Sequence, residues 1–287
     1  MQIRCVYISI INNPIRSYLL LVLILLLSLT GCAGMAGGSN PATATAQAQR
    51  AMDMATQVGS HLHQTQAVER QSALATAQAE DTFLRTATDW PLLLEDGFDD
   101  NENSWAIDPE EDPELATIDW KIDKGKYRWE AQALSPFVWW VTPDQFEAGD
   151  FYLAVTGKQV DGPDDGEYGL VFRMNEEGEY YVFEVSETGY FGLFLYSQEG
   201  WQALVNWTET ALIQSGAENR LEVTARGDTF YLSVNGKRLT EFTNNQIPTG
   251  QAGLLIGLYE SGDQGIWEFD DFEFRSPDAI ELPTATP

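Results

Sequence analysis

The sequence predicts an all-β protein, an antiparallel β-sandwich or jelly roll, preceded by a low-complexity, partly helical stalk. Between residues 90 and 275, short runs rich in Tyr, Phe, Val, Leu and Trp alternate with Gly, Asn, Asp and Pro. Such runs indicate strands and turns, and no helical period of useful length interrupts them. Many strands at short spacing are typical of a sandwich or jelly roll.

Charge divides the chain into two regions. Of the 287 residues, 44 are acidic and 16 are basic, which gives a formal net charge of -28. Residues 1–89 hold five basic and five acidic side chains, so all of the net charge lies in the rest of the chain. Because so acidic a surface repels phosphate backbones, we expect no nucleic-acid partner.

Residues 1–31 have the features of an export signal. Arg4 and Arg16 precede the apolar run Tyr18–Leu27. A membrane-spanning helix needs about 20 apolar residues, whereas about 7 to 15 behind a positive start are typical of a cleaved signal peptide.

The four residues Leu29-Thr30-Gly31-Cys32 follow that run and resemble the bacterial lipobox, in which the cysteine is acylated. The resemblance implies an exported lipoprotein that acylated Cys32 anchors in the lipid bilayer, at the outer face of a bacterial membrane. The alternative is an ordinary signal peptide followed by a chance thiol.

Residues 32–89 are predicted to be a linker or stalk, since Ala, Thr, Gln, Ser and Gly leave it little to bury. From Arg50 on, the composition also favours helix, so a partly helical spacer and a disordered linker are both open. The tail, residues 276–287, is predicted to be unstructured.

The sandwich domain is predicted over residues 90–275, and its strands are assigned to runs of β-branched and aromatic residues. Asn235-Gly236 predicts a two-residue hairpin turn, since both positions must accept positive φ. The predicted strands are Tyr127–Ala131, Phe137–Val141, Phe151–Thr156, Tyr168–Met174, Tyr180–Ser186, Tyr190–Tyr196, Trp201–Trp207, Arg220–Ala225, Thr229–Val234, Gly253–Tyr259 and Ile266–Phe274.

Five segments of this domain carry a family likeness: GFDDNENSW (97–105), YGLVFRMNEEGEYYVFEVS (168–186), NRLEVTARGDTFYLSVNGK (219–237), GQAGLLIG (250–257) and WEFDDFEF (267–274). Together they resemble the concanavalin A-like lectin/glucanase sandwich, in the form found in bacterial lipoproteins and in domains named after 3-keto-disaccharide hydrolases. The resemblance implies that ligands lie on a concave sheet. This architecture serves lectins, hydrolases and structural modules alike, so it implies no single activity.

The three strands between Tyr168 and Tyr196 predict a meander with an aromatic outer face. Alternation sends side chains such as Leu170, Phe183 and Leu193 inward. The opposite face would then carry Arg173, Tyr180, Glu184, Tyr190, Phe194 and Tyr196, extended by Trp139 or Trp140 and by Trp201 or Trp207. Because sugars stack on aromatic rings and bond to charged groups through their hydroxyls, we expect this face to bind a glycan. The alternative is that another segment or a partner chain covers it.

Glu268, Asp270 and Glu273 spell E-x-D-x-x-E, the arrangement that supplies the catalytic carboxylates in laminarinase-like glucanases of this fold. In a regular strand Glu273 points away from the other two unless a bulge intervenes. A retaining glycosidase needs its two carboxyls about 5 to 5.5 Å apart. We therefore favour a closing strand with solvated carboxylates. His61 and His63, the only histidines, lie in the stalk, so histidine-based catalytic schemes lack their parts.

Acidic clusters offer oxygen ligands for a structural calcium ion. The preferred site is the junction of the first and last strands, where Asp99, Asn101, Asp270 and Asp271 would meet. A second candidate is the acidic loop Asp161–Glu167, and solvated carboxylates are the alternative for both.

These observations predict a membrane-anchored, extracytoplasmic binding module that recognises carbohydrate without cleaving it. A glycoside hydrolase and a structural or protein-binding module of the cell envelope are the alternatives. The sequence names neither the sugar nor a protein partner.

Overall fold

A computed structural model describes residues 41–143, 146–277 and 280–281. The chain forms two compact units, residues 1–74 and 75–287. The predicted signal peptide, Cys32 and most of the predicted tail lie outside the described residues. Within the described part of the chain, no helix is long and apolar enough to cross a membrane.

The stalk segment is helical. Helix α1 extends from Pro41 to Ala87, and it is rich in Ala and Gln, which favour helix. It ends in a turn, where the amides of Asp89 and Trp90 donate to the carbonyls of Thr86 and Ala87. Pro91 follows and cannot continue a helix.

The rest of the second unit is built from antiparallel strands. They are β1 Leu92–Asp96, β2 Glu110–Asp112, β3 Ala116–Ile122, β4 Tyr127–Ala133, β5 Phe137–Val141, β6 Phe146–Glu147, β7 Phe151–Asp161, β8 Glu167–Met174, β9 Tyr180–Ser186, β10 Tyr190–Ser197, β11 Gly200–Glu209, β12 Asn219–Arg226, β13 Thr229–Val234, β14 Lys237–Thr243, β15 Gln251–Leu258, β16 Gln264–Arg275 and β17 Ile280–Glu281.

Two sheets face each other. The nine-stranded sheet has the order β14-β13-β12-β7-β16-β4-β3-β2, with β1 also paired to β16, and the six-stranded sheet has the order β11-β10-β9-β8-β15-β5. Strands β6 and β17 form a separate pair. This arrangement confirms the prediction of an antiparallel jelly-roll sandwich.

Alternation along the strands builds the core between the sheets. Strand β4 buries Tyr127 and Trp129, whose neighbours in the chain are partly exposed. They share one cluster with Phe269 from the nine-stranded sheet and with Phe183 and Leu193 from the six-stranded sheet. A period of two sends every second side chain to the same face, which explains why aromatic runs here produce a two-layer core.

The sequence located most strand cores but missed several strands. Strands β9 and β13 have the predicted bounds. Residues 235 and 236 form the predicted hairpin turn, with φ of 52° and 69°. Strands β1, β2 and β3 were not predicted, because their acidic residues interrupt the apolar alternation.

The C-terminal turns of α1 cover part of the outer face of the nine-stranded sheet. Ala87 is fully buried in a cluster with Tyr152 and Ala154 of β7. Phe83 lies 5.9 Å from the ring of Tyr231, and the Arg226 guanidinium lies 5.0 Å from the Phe83 ring. The chain's own helix therefore occupies this region, and the outer face of the six-stranded sheet is the other large surface to consider.

Candidate ligand-binding face

Strands β8, β9 and β10 form the predicted meander. In its register Val171 lies opposite Val182, and Val182 lies opposite Phe194. These three side chains belong to a cluster outside the main core, together with Tyr180 and Trp140. The six-stranded sheet therefore has an aromatic outer face, as alternation predicts.

The prediction that the Arg173 side chain lies on this outer face is wrong. Its φ is 51°, and the pairing of β8 with β15 shifts register beside it, so its side chain turns into the core. The guanidinium donates to the carbonyls of Gly149, Ile247 and Gly227 at 2.7, 3.0 and 2.6 Å, and lies 4.7 Å from the Phe230 ring. Burial lowers the pKa of Arg173. The residue holds loops together inside the sandwich and is not a ligand contact on the outer face.

Four rings at one end of the outer face pack against each other, and we call Trp140, Tyr180, Tyr196 and Trp201 the ring cluster. The centroid of Tyr180 lies 5.2 Å from that of Tyr196, 5.9 Å from that of Trp201 and 5.7 Å from that of Trp140. Tyr196 and Trp201 are register partners with centroids 5.1 Å apart. The cluster is therefore assembled from strands β5, β9, β10 and β11.

Exposure within this cluster rises toward the sheet edge. Tyr180 is 6% exposed, Tyr196 is 37% exposed and Trp201 is 49% exposed. Tyr180 is covered by its neighbouring rings, so the open aromatic surface is narrower than the sequence predicts. Burial raises the pKa of Tyr180 to about 12.

A second ring pair continues along the same edge. Phe194 of β10 lies 5.4 Å from Trp207 of β11, and Trp207 is exposed. Tyr190, at the start of β10, is also exposed. The exposed rings therefore lie on β10 and β11, the two strands at this edge of the sheet.

Glu184 occupies a glycine-lined position on the same face. Its register partners are Gly169 on β8 and Gly192 on β10, and the Phe194 ring fills the space a side chain at Gly192 would need. Glu184 is 2% exposed, and its Oε1 has no hydrogen-bond partner. Burial raises the pKa of this carboxyl.

Glu167 lies two residues from Gly169 on β8, so it is a diagonal neighbour of Glu184 on the outer face. Burial, followed by the charge of Glu184, raises the pKa of Glu167, and the hydroxyl of Tyr259 donates to its Oε2. Sequence reasoning missed this pair, because Glu167 looks like the end of a solvated acidic loop. The alternation that puts Glu184 on the outer face of β9 also puts Glu167 on the outer face of β8. Applied to both strands, it would have predicted that the two carboxyls share this face.

Glu268, Asp270 and Glu273, the carboxylates of the glucanase-like E-x-D-x-x-E spacing, lie on β16 of the other sheet. A register shift in β16 between Asp270 and Glu273 restores Glu273 to the face of Glu268 and Asp270, as a bulge would. Each carboxylate is paired with a cation: Glu268 with Arg128 at 2.8 Å, Asp270 with Lys126 at 2.7 Å and Glu273 with Arg220 at 2.7 Å. The geometry is that of a row of ion pairs on one face of the nine-stranded sheet.

The predicted strand junction exists, since β1 pairs with β16. There Asp96 accepts from Trp105 Nε1 at 2.7 Å, from the Phe98 amide at 2.7 Å and from Asn103 Nδ2 at 2.8 Å. The side chain of Asn101 bonds to the backbone of Trp105.

No group of three or more His, Cys, Asp or Glu residues within the described ranges is placed to hold a metal ion. Calcium at Asp99, Asn101, Asp270 and Asp271 stays a prediction. Of these four, Asp270 is already engaged with Lys126.

No protein-family model matches the chain. A search of curated proteins likewise finds no match.

Solved structures with similar folds include carbohydrate-binding and glycan-cleaving proteins. A carbohydrate-binding module, CBM66, from Bacillus subtilis is 15% identical with a TM-score of 0.42, over 56% of this chain and 95% of that chain. A laminarinase catalytic domain from Thermotoga petrophila is 10% identical with a TM-score of 0.44, over 65% and 98%. A galectin-like protein of unknown function from Bacillus subtilis is 12% identical with a TM-score of 0.47, over 67% and 98%. At these values the likeness concerns the sandwich architecture alone.

Proposed function

We propose that this protein is an extracytoplasmic carbohydrate-binding module that uses the outer face of the six-stranded sheet. The observation that carries the proposal is the pair Tyr196 and Trp201, whose rings touch and are 37% and 49% exposed. Exposed rings stack on the C–H faces of sugars, and such clusters on a soluble domain usually serve binding.

The second support is the way the rings are held. Strands β8 and β9 are buried along their whole length, so the floor of this face is closely packed. Tyr180 packs beneath Tyr196 and Trp201 and fixes the direction of both rings. A platform that is ordered before the ligand arrives reduces the entropy cost of binding.

The test is a glycan array with the full chain, followed by titration calorimetry of any hit. We expect Trp201→Ala to abolish the array signal. Leu134→Ala is the matched control, since Leu134 is 42% exposed and lies outside this face. Equal loss of signal in both variants, or no signal with the wild type, would overturn the proposal. Assay of new reducing ends on the same oligosaccharides tests for the hydrolase alternative.

We further propose that acylated Cys32 anchors the module to a bacterial membrane and that the stalk up to residue 79 acts as a spacer, since Glu80, Phe83 and Ala87 already contact the sandwich. The proposal rests on the lipobox-like sequence and on the helix Pro41–Ala87. A lipid anchor would place the sandwich next to cell-surface or incoming glycans.

A further inference from the structure

We propose that the ligand is a cationic saccharide, an oligomer with free amino groups such as glucosamine, bound at the ring cluster through its ammonium groups. The inference rests on the proposed function and adds the charge class of the sugar. It comes from the distribution of charge over the two sheets.

Basic residues are segregated to one side of the sandwich. Of the eleven Lys and Arg residues between 90 and 275, ten lie on the nine-stranded sheet or in the β3–β4 turn. The eleventh is Arg173, whose guanidinium is buried in the core. Strands β5, β9, β10, β11 and β15 contain no basic residue at all.

Carboxylates border the ring cluster instead. The β8–β9 turn carries Glu176, Glu177 and Glu179, and the β10–β11 turn carries Glu199. The two turns touch, since the amide of Gln198 donates to Glu179 Oε1 at 3.3 Å. Because Tyr180 is paired with Tyr196, both turns lie at the end of the sheet where the rings are.

The buried carboxyl of Glu184, on the same face, also favours a cationic ligand. Glu184 is 2% exposed, and its Oε1 lacks a hydrogen-bond partner. The charged and titratable groups that face it are Glu167, Tyr180 and Tyr259, and Asp165 lies beside Glu167. None of these groups is a cation, so a positive ligand charge above this face meets no like charge of the protein.

The exposed faces of Tyr196 and Trp201 are available to a cation. Among the described residues, every cation–π contact is made with Phe83, Phe151, Phe230 or Tyr231, none of which belongs to the ring cluster. An ammonium group within about 6 Å of a Trp or Tyr centroid is attracted by the ring quadrupole. The nearby carboxylates add a long-range attraction that salt screens.

The experiment uses the full chain and four hexamers: glucosamine, N-acetylglucosamine, cello-oligosaccharide and lysine. Titrations are run at about pH 5.5, where ordinary carboxylates with pKa values near 4.3 are ionised and the glucosamine amine is protonated. We expect the glucosamine hexamer to bind about tenfold more tightly than either neutral sugar, with most of the difference lost at about 1 M salt.

Matched variants locate the effect. Glu176→Gln with Glu177→Gln should remove most of the preference for the charged sugar. The same change at Glu110 and Glu111, two exposed residues at the edge of the nine-stranded sheet, should leave it intact. An equal effect of the two double variants would assign the preference to net charge alone and overturn the inference.

The remaining outcomes separate this inference from the proposed function. Neutral sugars that bind as tightly as glucosamine, with loss in Trp201→Ala, would overturn the cationic class and leave carbohydrate binding in place. Hexalysine that binds as tightly as glucosamine would overturn the saccharide and indicate a basic peptide. Failure of all three sugars would overturn the inference, and the glycan array then decides whether the proposed function stands.

Discussion

Trp201 lies directly across the β10–β11 register from Tyr196, with the two ring centroids 5.1 Å apart. The pair is assembled by the hairpin, because the turn at residues 198 and 199 brings the two strands back side by side. Their exposure follows from position, since β11 is the last strand of the sheet and has no further neighbour in it to cover the rings. The pair is thus part of an accessible aromatic edge of this face, whereas Tyr180 behind it is covered.

Trp201→Ala should weaken binding to any glycan found on the array by at least about tenfold, because it removes the most exposed ring of the ring cluster. The free energy of unfolding should fall by only about 1 kcal/mol, since the side chain is half exposed. Calorimetric titration and urea unfolding measure the two effects. A large loss of stability would instead assign the ring to packing.

Arg173→Met should lower the free energy of unfolding by about 3 kcal/mol or more, because three buried carbonyls lose a charged donor. Lys237→Met on the exposed β14 is the control and should change stability by less than about 0.5 kcal/mol. Glycan affinity of the folded fraction should stay near that of the wild type. If affinity falls while stability is kept, Arg173 contacts the ligand after all.

Glu184→Gln should flatten the dependence of stability on pH. Burial raises the pKa of Glu184 in the folded state, so the folded protein binds a proton that the unfolded chain has already released. The stabilising contribution of the protonated carboxyl is complete below the unfolded pKa, near 4.3, and is lost as pH rises through the folded value. For each proton that the folded protein binds in excess of the unfolded chain, the free energy of unfolding falls by about 1.4 kcal/mol per pH unit in that window.

Unfolding by urea at a series of pH values measures this slope for the wild type, for Glu184→Gln and for Glu199→Gln, a control at an exposed carboxylate. We expect the control to follow the wild type and Glu184→Gln to be the more stable protein at alkaline pH. Parallel curves for all three proteins would contradict a neutral buried carboxyl at this position.

Asp96→Ala should cost about 2 to 4 kcal/mol, because three donors lose their shared acceptor where the first and last strands meet. Melting curves with calcium and with chelator, on the wild type and on Asp271→Asn, test the calcium prediction in parallel. A calcium-dependent rise in Tm that Asp271→Asn abolishes would support an ion at this junction, and identical curves would oppose it.

Cys32→Ala should release the protein from the membrane fraction, since the proposed anchor is the acyl chain on that thiol. Globomycin, which blocks lipoprotein signal cleavage, should cause the precursor to accumulate. Fractionation and mobility on gels measure both effects. Continued membrane association of the variant would exclude the lipid anchor.

The sequence predicted the fold and most of the side chains that face outward from the meander. Alternation within the meander assigned Leu170, Phe183 and Leu193 to the core, and the structure places them there. It also predicted the outer positions of Tyr180, Phe194 and Tyr196, because a period of two is a local property of an extended chain. The same rule was wrong for Arg173, where a single positive φ reverses the direction of one side chain.

What the sequence determined by itself is the set of local properties: strand runs, the Asn235-Gly236 turn, the acidic balance, and the apolar segment before Cys32. The tertiary structure decided which of the outward rings stay open and which carboxyl lies beside Glu184. It also decided that the Lys and Arg residues of the sandwich, apart from the buried Arg173, lie on the other sheet or in the β3–β4 turn. These depend on strand order, bulges and the packing of one ring over another. Such contacts join residues far apart in the chain, and no local pattern encodes them.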